Sequence, residues 1–190
     1  MKRTMVSLIV LLIAAAIPAT ASTFVFMTLP EMVAEADAIV FGEVVQRDVS
    51  WTESGRLITA NNRVNVSEVW VGQAGKEVSV RTIGGQVGDF MVEAHGFPQL
   101  HEGEKVVLFL RKDEETGQHE ILGYQLGHYR FVERLDGKQL AVPQTEEGIR
   151  FVEDDQFTEK AMQSSDFHEF KAGILAIARG LGRGGVNLSK

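Results

Sequence analysis

The residues from Arg56 to Gly72, RLITANNRVNVSEVWVG, constrain the fold more than any other stretch of this chain. Apolar and polar side chains alternate through it, the pattern of a strand with one face in a core. The alternation then changes phase: Val64 and Val66 share one face, whereas Val69 and Val71 fall on the other. A slip of one residue near Ser67 and Glu68 is what a β-bulge does to a long strand, and a bulged strand bends.

Further strand patterns lie on both sides. AIVFGEVV (Ala38 to Val45) is β-branched and aromatic and too short for a core helix, so it reads as a buried first strand. Gly42 in its middle predicts a bend or a close approach by another backbone. EVSVRTI follows as a third strand, and EKVVLFLR (Glu104 to Arg111), the most apolar segment of the body, as a central one. HEILGYQ, HYRFVE and QLAVP are weaker strands, separated by the polar, glycine-containing connections KDEETGQ and RLDGKQ. Strands separated by turns about every dozen residues, from Ala38 to about Pro143, close most economically as a small barrel or sandwich.

Helices bracket this region. Thr28 stands three residues before Glu31, the spacing of a reciprocal capping box, with Pro30 in the first turn, so a short helix is expected from Leu29 to Ala36. Near the other end, Phe167, Phe170, Ile174, Ile177 and Leu181 recur at helical spacing on one stripe. Asp166 and Glu169 precede and open this helix, Arg179 and Arg183 suit its carbonyl end, and Gly180, Gly182, Gly184 and Gly185 stop it. The stripe is expected to dock across one end of its own barrel, with a partner groove as the alternative.

The amino terminus has the three parts of a secretory leader: Lys2 and Arg3, an uncharged apolar run from Met5 to Ile17, and Ala19-Thr20-Ala21 before Ser22. The apolar run is shorter than the roughly 20 residues that span a bilayer. Cleavage between Ala21 and Ser22, release without a membrane anchor, and a periplasmic or extracellular address are the expectation. The division is a leader over 1–21, a barrel domain with its short helix over 22–150, and a helical extension with a glycine-rich tail over 151–190. Removal of Lys2 and Arg3 takes the net charge from −7 to −9. An acidic chain is repelled by nucleic acid and by anionic membranes. The absence of cysteine leaves an exported fold to be held by its apolar core alone. It also removes thiolate zinc sites, iron–sulfur clusters and thiol catalysis.

Specific chemistry is sparse. TIGGQVGD (Thr82 to Asp89) has the glycines of a phosphate-binding loop, but β-type residues follow where a helix amino terminus would be needed. Gly84, Gly85 and Gly88 read instead as a tight connection between strands. His101, His119 and His168 each precede a glutamate, yet the positions four residues after them are Lys105, Gly123 and Ala172, so none opens a zinc-peptidase helix. His95 and His101, with Glu93, Glu102 and Glu104, are the one local group of ligand types, and they read as a solvated loop rather than a metal site. No G-x-S-x-G is present. The expectation is therefore no catalytic residue, no metal and no cofactor. Trp51 offers an exposed stacking face, while Trp70, in a strand, reads as core.

EADAIVFGEV, VNVSEVWVG, VSVRTIGGQVG and GFPQLHEGEKVVLFLR, in that order, resemble a recurrent pattern of secreted bacterial proteins without an assigned activity, over roughly Leu29 to Tyr129. That resemblance implies a mainly β chain with an OB-like barrel, closed or partly open, similar in layout to the netrin-like domain of tissue inhibitors of metalloproteinases. Those inhibitors act through an amino-terminal cysteine, so no functional residue carries over to a cysteine-free chain. Two functions from different classes are expected. One is a non-catalytic module contacting another exported protein, a peptidase among the candidates, through Trp51, Gly84, Gly85, Gly88, His95 and His101. The other is an envelope module stacking a glycan or small ligand on Trp51, Tyr124 and Tyr129.

Overall fold

The long alternating segment forms one side of a five-stranded barrel. In the computed structural model, residues 23–25, 27–144, 150–152 and 163–183 are described. The expected leader, its cleavage point at Ala21 and Ser22, and the glycine-rich tail lie outside them. A short strand β1 (Thr23–Val25) pairs in parallel with a distant β11 (Arg150–Val152). Helix α1 (Leu29–Glu35) follows with its capping box in place: the Glu31 amide donates to Thr28 Oγ1, and the Glu31 carboxylate accepts from the Thr28 amide at 2.7 Å. The Thr28 hydroxyl also donates to that carboxylate at 2.7 Å, and this bond, with the one from the Thr28 amide, holds the Glu31 carboxyl below its ordinary range.

The barrel comprises β2 (Ala38–Trp51), β3 (Ile58–Gly72), β4 (Glu77–Ile83), β7 (Lys105–Lys112) and β8 (His119–Ile121). β2 pairs with β3, β3 with β4, β4 in parallel with β8, β8 with β7, and β7 with β2, which closes the circuit. This is the circuit of an OB-type barrel, so the mainly β fold expected from the strand pattern is the fold observed, in its closed form. Over Val106 to Leu108 the same edge of β7 is free of β8, and there it carries β9 (His128–Glu133), with β10 (Gln139–Pro143) and β12 (Ser165–Asp166) beyond it as an outward extension. The first strand runs six residues past the expected Val45, to Trp51. Only His119–Ile121 of HEILGYQ is strand, and a 3-10 turn (Tyr124–Gly127) takes up the rest.

The phase slip has the expected cause. Phe41 pairs with Glu68 and Gly42 with Val66, which leaves Ser67 as an extra residue in β3. Gly42 is where the backbones come closest, since a Cβ there would lie 2.4 Å from the Asn65 carbonyl oxygen. The two faces of the sheet serve different cores: Val66 and Val69, on either side of the bulge, both enter the barrel, and a second slip at Trp70 places Val71 with the helices. Val40, Val64, Val80, Leu108 and Leu110 fill the barrel with Leu100, while Ile39, Trp70, Val107 and Phe109 point outward to the helices. β7 is buried on both faces, as its unbroken apolar run predicts.

Helix α2 (Phe167–Gly180) covers the outer wall of the sheet. It does not lie across a barrel end. Asp166 caps it, accepting from the His168 and Glu169 amides. Phe167, Ile174 and Ala178 are buried in one cluster with Met32, Trp70 and Tyr129. Leu181 is exposed, because the helix stops at Gly180 and the chain turns through Gly182. The Arg183 amide bonds back to the Ala178 carbonyl at 2.7 Å and the Gly182 amide to that of Arg179 at 3.0 Å, which is a Schellman closure. Arg183 then reaches across to α1, donating to the carbonyls of Val33, Ala34 and Ala36, so one residue serves both helix ends, its amide closing α2 and its guanidinium capping α1. Near the other end of α2, Lys171 pairs with Glu68 and lies 5.7 Å over the Trp70 ring. Partial burial works to raise the Glu68 carboxyl, but the Lys171 and Trp70 hydrogen bonds outweigh it and leave the group below its usual range.

Candidate functional site

One mouth of the barrel is roofed by the connection from β4 to β7. The glycines after Ile83 open this connection without forming an anion cradle. Gly84 and Gly85 have φ of +104° and +135°, and side chains there would strike the Val92 carbonyl oxygen at 2.8 Å and Val49 Cγ1 at 2.6 Å. The chain passes into a hairpin, β5 (Gly85–Val87) and β6 (Phe90–Val92), with Gly88 at its tip, and no helix amino terminus faces the turn. The hairpin therefore lies close against β2, which only bare backbone permits.

After the hairpin, residues 93–104 fold back over the mouth. Leu100 enters the barrel interior. Gln99 ties the segment to two strands, donating to the Ile83 carbonyl at 2.9 Å and accepting from Arg47 Nη2 at 3.0 Å. Glu102 accepts from the Arg47 amide at 2.8 Å. Between this segment, the hairpin and β2 is a cleft of about 530 Å3 whose lining includes Arg47, Gly85, Met91, His95, Gln99 and His101. A second cleft, of about 410 Å3, lies on the far side of Phe97 and Pro98, bounded by Thr52, Arg81, Glu120 and Tyr124.

Three of the residues singled out from the sequence thus meet in one cleft: Gly85, His95 and His101. Trp51 stands at the end of β2, its ring 5.7 Å from that of Phe90 and nearly perpendicular to it. Gly84 is buried behind the cleft, and Gly88 is exposed at the hairpin tip. The histidines do not converge with acids as metal ligands would. His101 Nδ1 lies 3.5 Å from Glu104 Oε1, which also lies 3.5 Å from Arg130 Nη1. Among the described residues no group of three or more histidine, aspartate or glutamate side chains is placed to hold a metal ion.

Tyr129 must be corrected. Its ring lies 4.5 Å from that of Phe170 and 6.1 Å from that of Phe109, inside the helix-covered core, and burial pushes its hydroxyl up to about 12. It pairs with Val107, whose side chain points outward beneath the helices, so strand register removes it from any ligand face. The glycan surface expected on Trp51, Tyr124 and Tyr129 loses one of its three members. Tyr124 is exposed and packs edge-on to Phe97 at 5.0 Å.

Phe90, Met91 and Arg47 were not singled out from the sequence. Trp51, Phe90 and Met91 are 39%, 64% and 61% exposed; the first two rings meet, and Met91, the next residue of β6, lines the cleft. The signal for two of them was present: Phe90-Met91-Val92 is an apolar triplet between Asp89 and Glu93 in an otherwise polar connection. Arg47 gave no signal, since its place depends on how β2 pairs. Among known proteins, no family model and no curated protein matches this chain.

Proposed function

We propose that this protein is an exported, non-catalytic binding module that docks on another exported protein through the rim formed by Trp51, Phe90 and Met91. One observation carries the reading: two large aromatic side chains, Trp51 at the end of β2 and Phe90 on the hairpin, meet in solvent, and the exposed Met91 follows beside a cleft. Scattered single apolar residues are ordinary on a surface, but a cluster with aromatic anchors next to a pocket has the composition of an interface centre. The net negative charge supports a protein partner over nucleic acid. An exported peptidase is the class to assay first, on the strength of the barrel's resemblance to metalloproteinase inhibitors. The cysteine mechanism of those inhibitors has no counterpart here.

The test compares the protein purified from the exported fraction with its Trp51→Ala/Phe90→Ala variant as bait in that same fraction. Both side chains are on the surface, so the variant keeps the native melting temperature. A protein enriched by the native bait and lost from the variant supports the reading. Equal capture by both baits, or no capture by either, overturns it.

A further inference from the structure

The cleft beside the apolar rim contains a cation without a counter-ion among the described residues. Arg47 lies opposite Asn62 in the β2–β3 register, and Asn62 points into the barrel, hydrogen-bonded to the Val80 carbonyl and to Thr82 Oγ1 at 3.0 Å each. The arginine is thereby directed under the roof of the mouth. There its Nη2 donates to Gln99, while its Nε is buried with no acceptor among the described residues. Arg63, Arg81, Arg111, Arg130 and Arg134 each have a carboxylate within 4 Å, but no carboxylate of the described residues reaches the Arg47 guanidinium. Arg56, Arg179 and Arg183 also have no carboxylate within 4 Å among the described residues, but of these four it is Arg47 that lines the cleft and has a buried Nε without an acceptor. A buried donor without an acceptor is costly, and the group that would complete this one is an acceptor.

Resting on the docking surface proposed above, we propose that this cleft is a carboxylate site: the partner inserts one carboxylate onto Arg47 and lays an adjacent apolar side chain against Met91 and Phe90. The chemistry favours a carboxylate over a phosphate. The planar fork of a guanidinium matches a carboxylate, and Glu93 on the cleft wall opposes a second negative charge. Gly85 leaves the approach open, since a Cβ there would lie 3.3 Å from Arg47 Nη2. The carboxylate is either the end of a peptide chain or an acidic side chain within one.

The test follows the Arg47 Nε–H resonance by NMR while the native protein is titrated with three probes. N-acetyl-phenylalanine carries an α-carboxylate, N-acetyl-phenylalanyl-glutamic acid α-amide a side-chain carboxylate, and N-acetyl-phenylalaninamide none. Either carboxylate probe is expected to shift that resonance saturably, and to bind about tenfold or more tightly than the amide, the worth of one charge-assisted contact. The tighter of the two identifies the source. Arg47→Gln abolishes the difference between probes, and Arg47→Lys keeps part of it. Equal binding of amide and carboxylates, or no saturable shift at Arg47, overturns the site, and this comparison needs no variant. If Arg47→Gln captures the partner as the native protein does while Trp51→Ala/Phe90→Ala does not, the carboxylate site falls and the docking surface stands.

Discussion

His128 makes the stability of this protein depend on pH in a window where its carboxylates contribute little. The imidazole is fully buried on β9, opposite Leu108, and neither ring nitrogen has a hydrogen-bond partner among the described residues. Burial, then the nearby Arg130 and His101, lower its pKa from 6.5 to about 3. Between those values the unfolded chain binds a proton that the native state refuses, so stability rises with pH. The contribution is fully present above about 6.5 and is lost as pH falls toward 3. At pH 5 the loss works out to about 2 kcal/mol, since each pH step of one below 6.5 costs about 1.36 kcal/mol. Glu31, Glu68 and Asp113 are held below their ordinary ranges by hydrogen bonds common to both proteins compared, so their contribution cancels. His119 is lowered as well, chiefly by burial, but it is common to both proteins compared. The perturbation is His128→Leu, close to the native volume and without the orphaned nitrogens. Urea unfolding at pH 7.5 and 5.0, at fixed ionic strength, gives the stability of each protein. The variant is expected to match or exceed the native chain at pH 7.5, and to lose about 2 kcal/mol less on going to pH 5. Equal losses, within the roughly 0.5 kcal/mol scatter of such differences, would refute the claim that a neutral buried imidazole sets the acid limb.

Two further substitutions probe the frame around the site. Arg183→Ala removes the guanidinium cap on α1 while keeping the amide that closes α2, and is expected to cost about 2 kcal/mol, a fall of roughly 4–8 °C in Tm for a domain of this size. Arg183→Lys restores less than half of it by calorimetry, because an ammonium cannot span three carbonyls. Gly42→Ala places a methyl group 2.4 Å from the Asn65 carbonyl oxygen and is expected to destabilise by about 2 kcal/mol or more in urea titrations, with amide exchange accelerated in β2 and β3.

Several features were legible in the sequence because they are local. The capping box at Thr28 and Glu31, the stripe of α2 and the bulge at Ser67 follow from the order of neighbouring side chains, and each occurs where the pattern places it. The barrel itself was legible as a count of short strands with a bent member. The candidate site was legible only in part. Gly85, His95 and His101 lie along one connection and reach one cleft, but the apolar rim needed Phe90 beside Trp51, and those rings meet only after the hairpin folds onto β2.

The sequence by itself determined the elements and their periodicity, since capping, alternation and turn formation depend on residues a few positions apart. Only the tertiary structure decided which face each strand turned to what. Tyr129 looked like a ligand contact until its pairing with Val107 directed it under the helices. Arg47 looked like one more charge in a polar strand until Gln99, 52 residues away, fixed it over the barrel mouth. In a sheet, neighbours come from strand pairing and register, and one step of register exchanges the buried and exposed faces. Cores and clefts in such a fold are therefore assembled from distant residues.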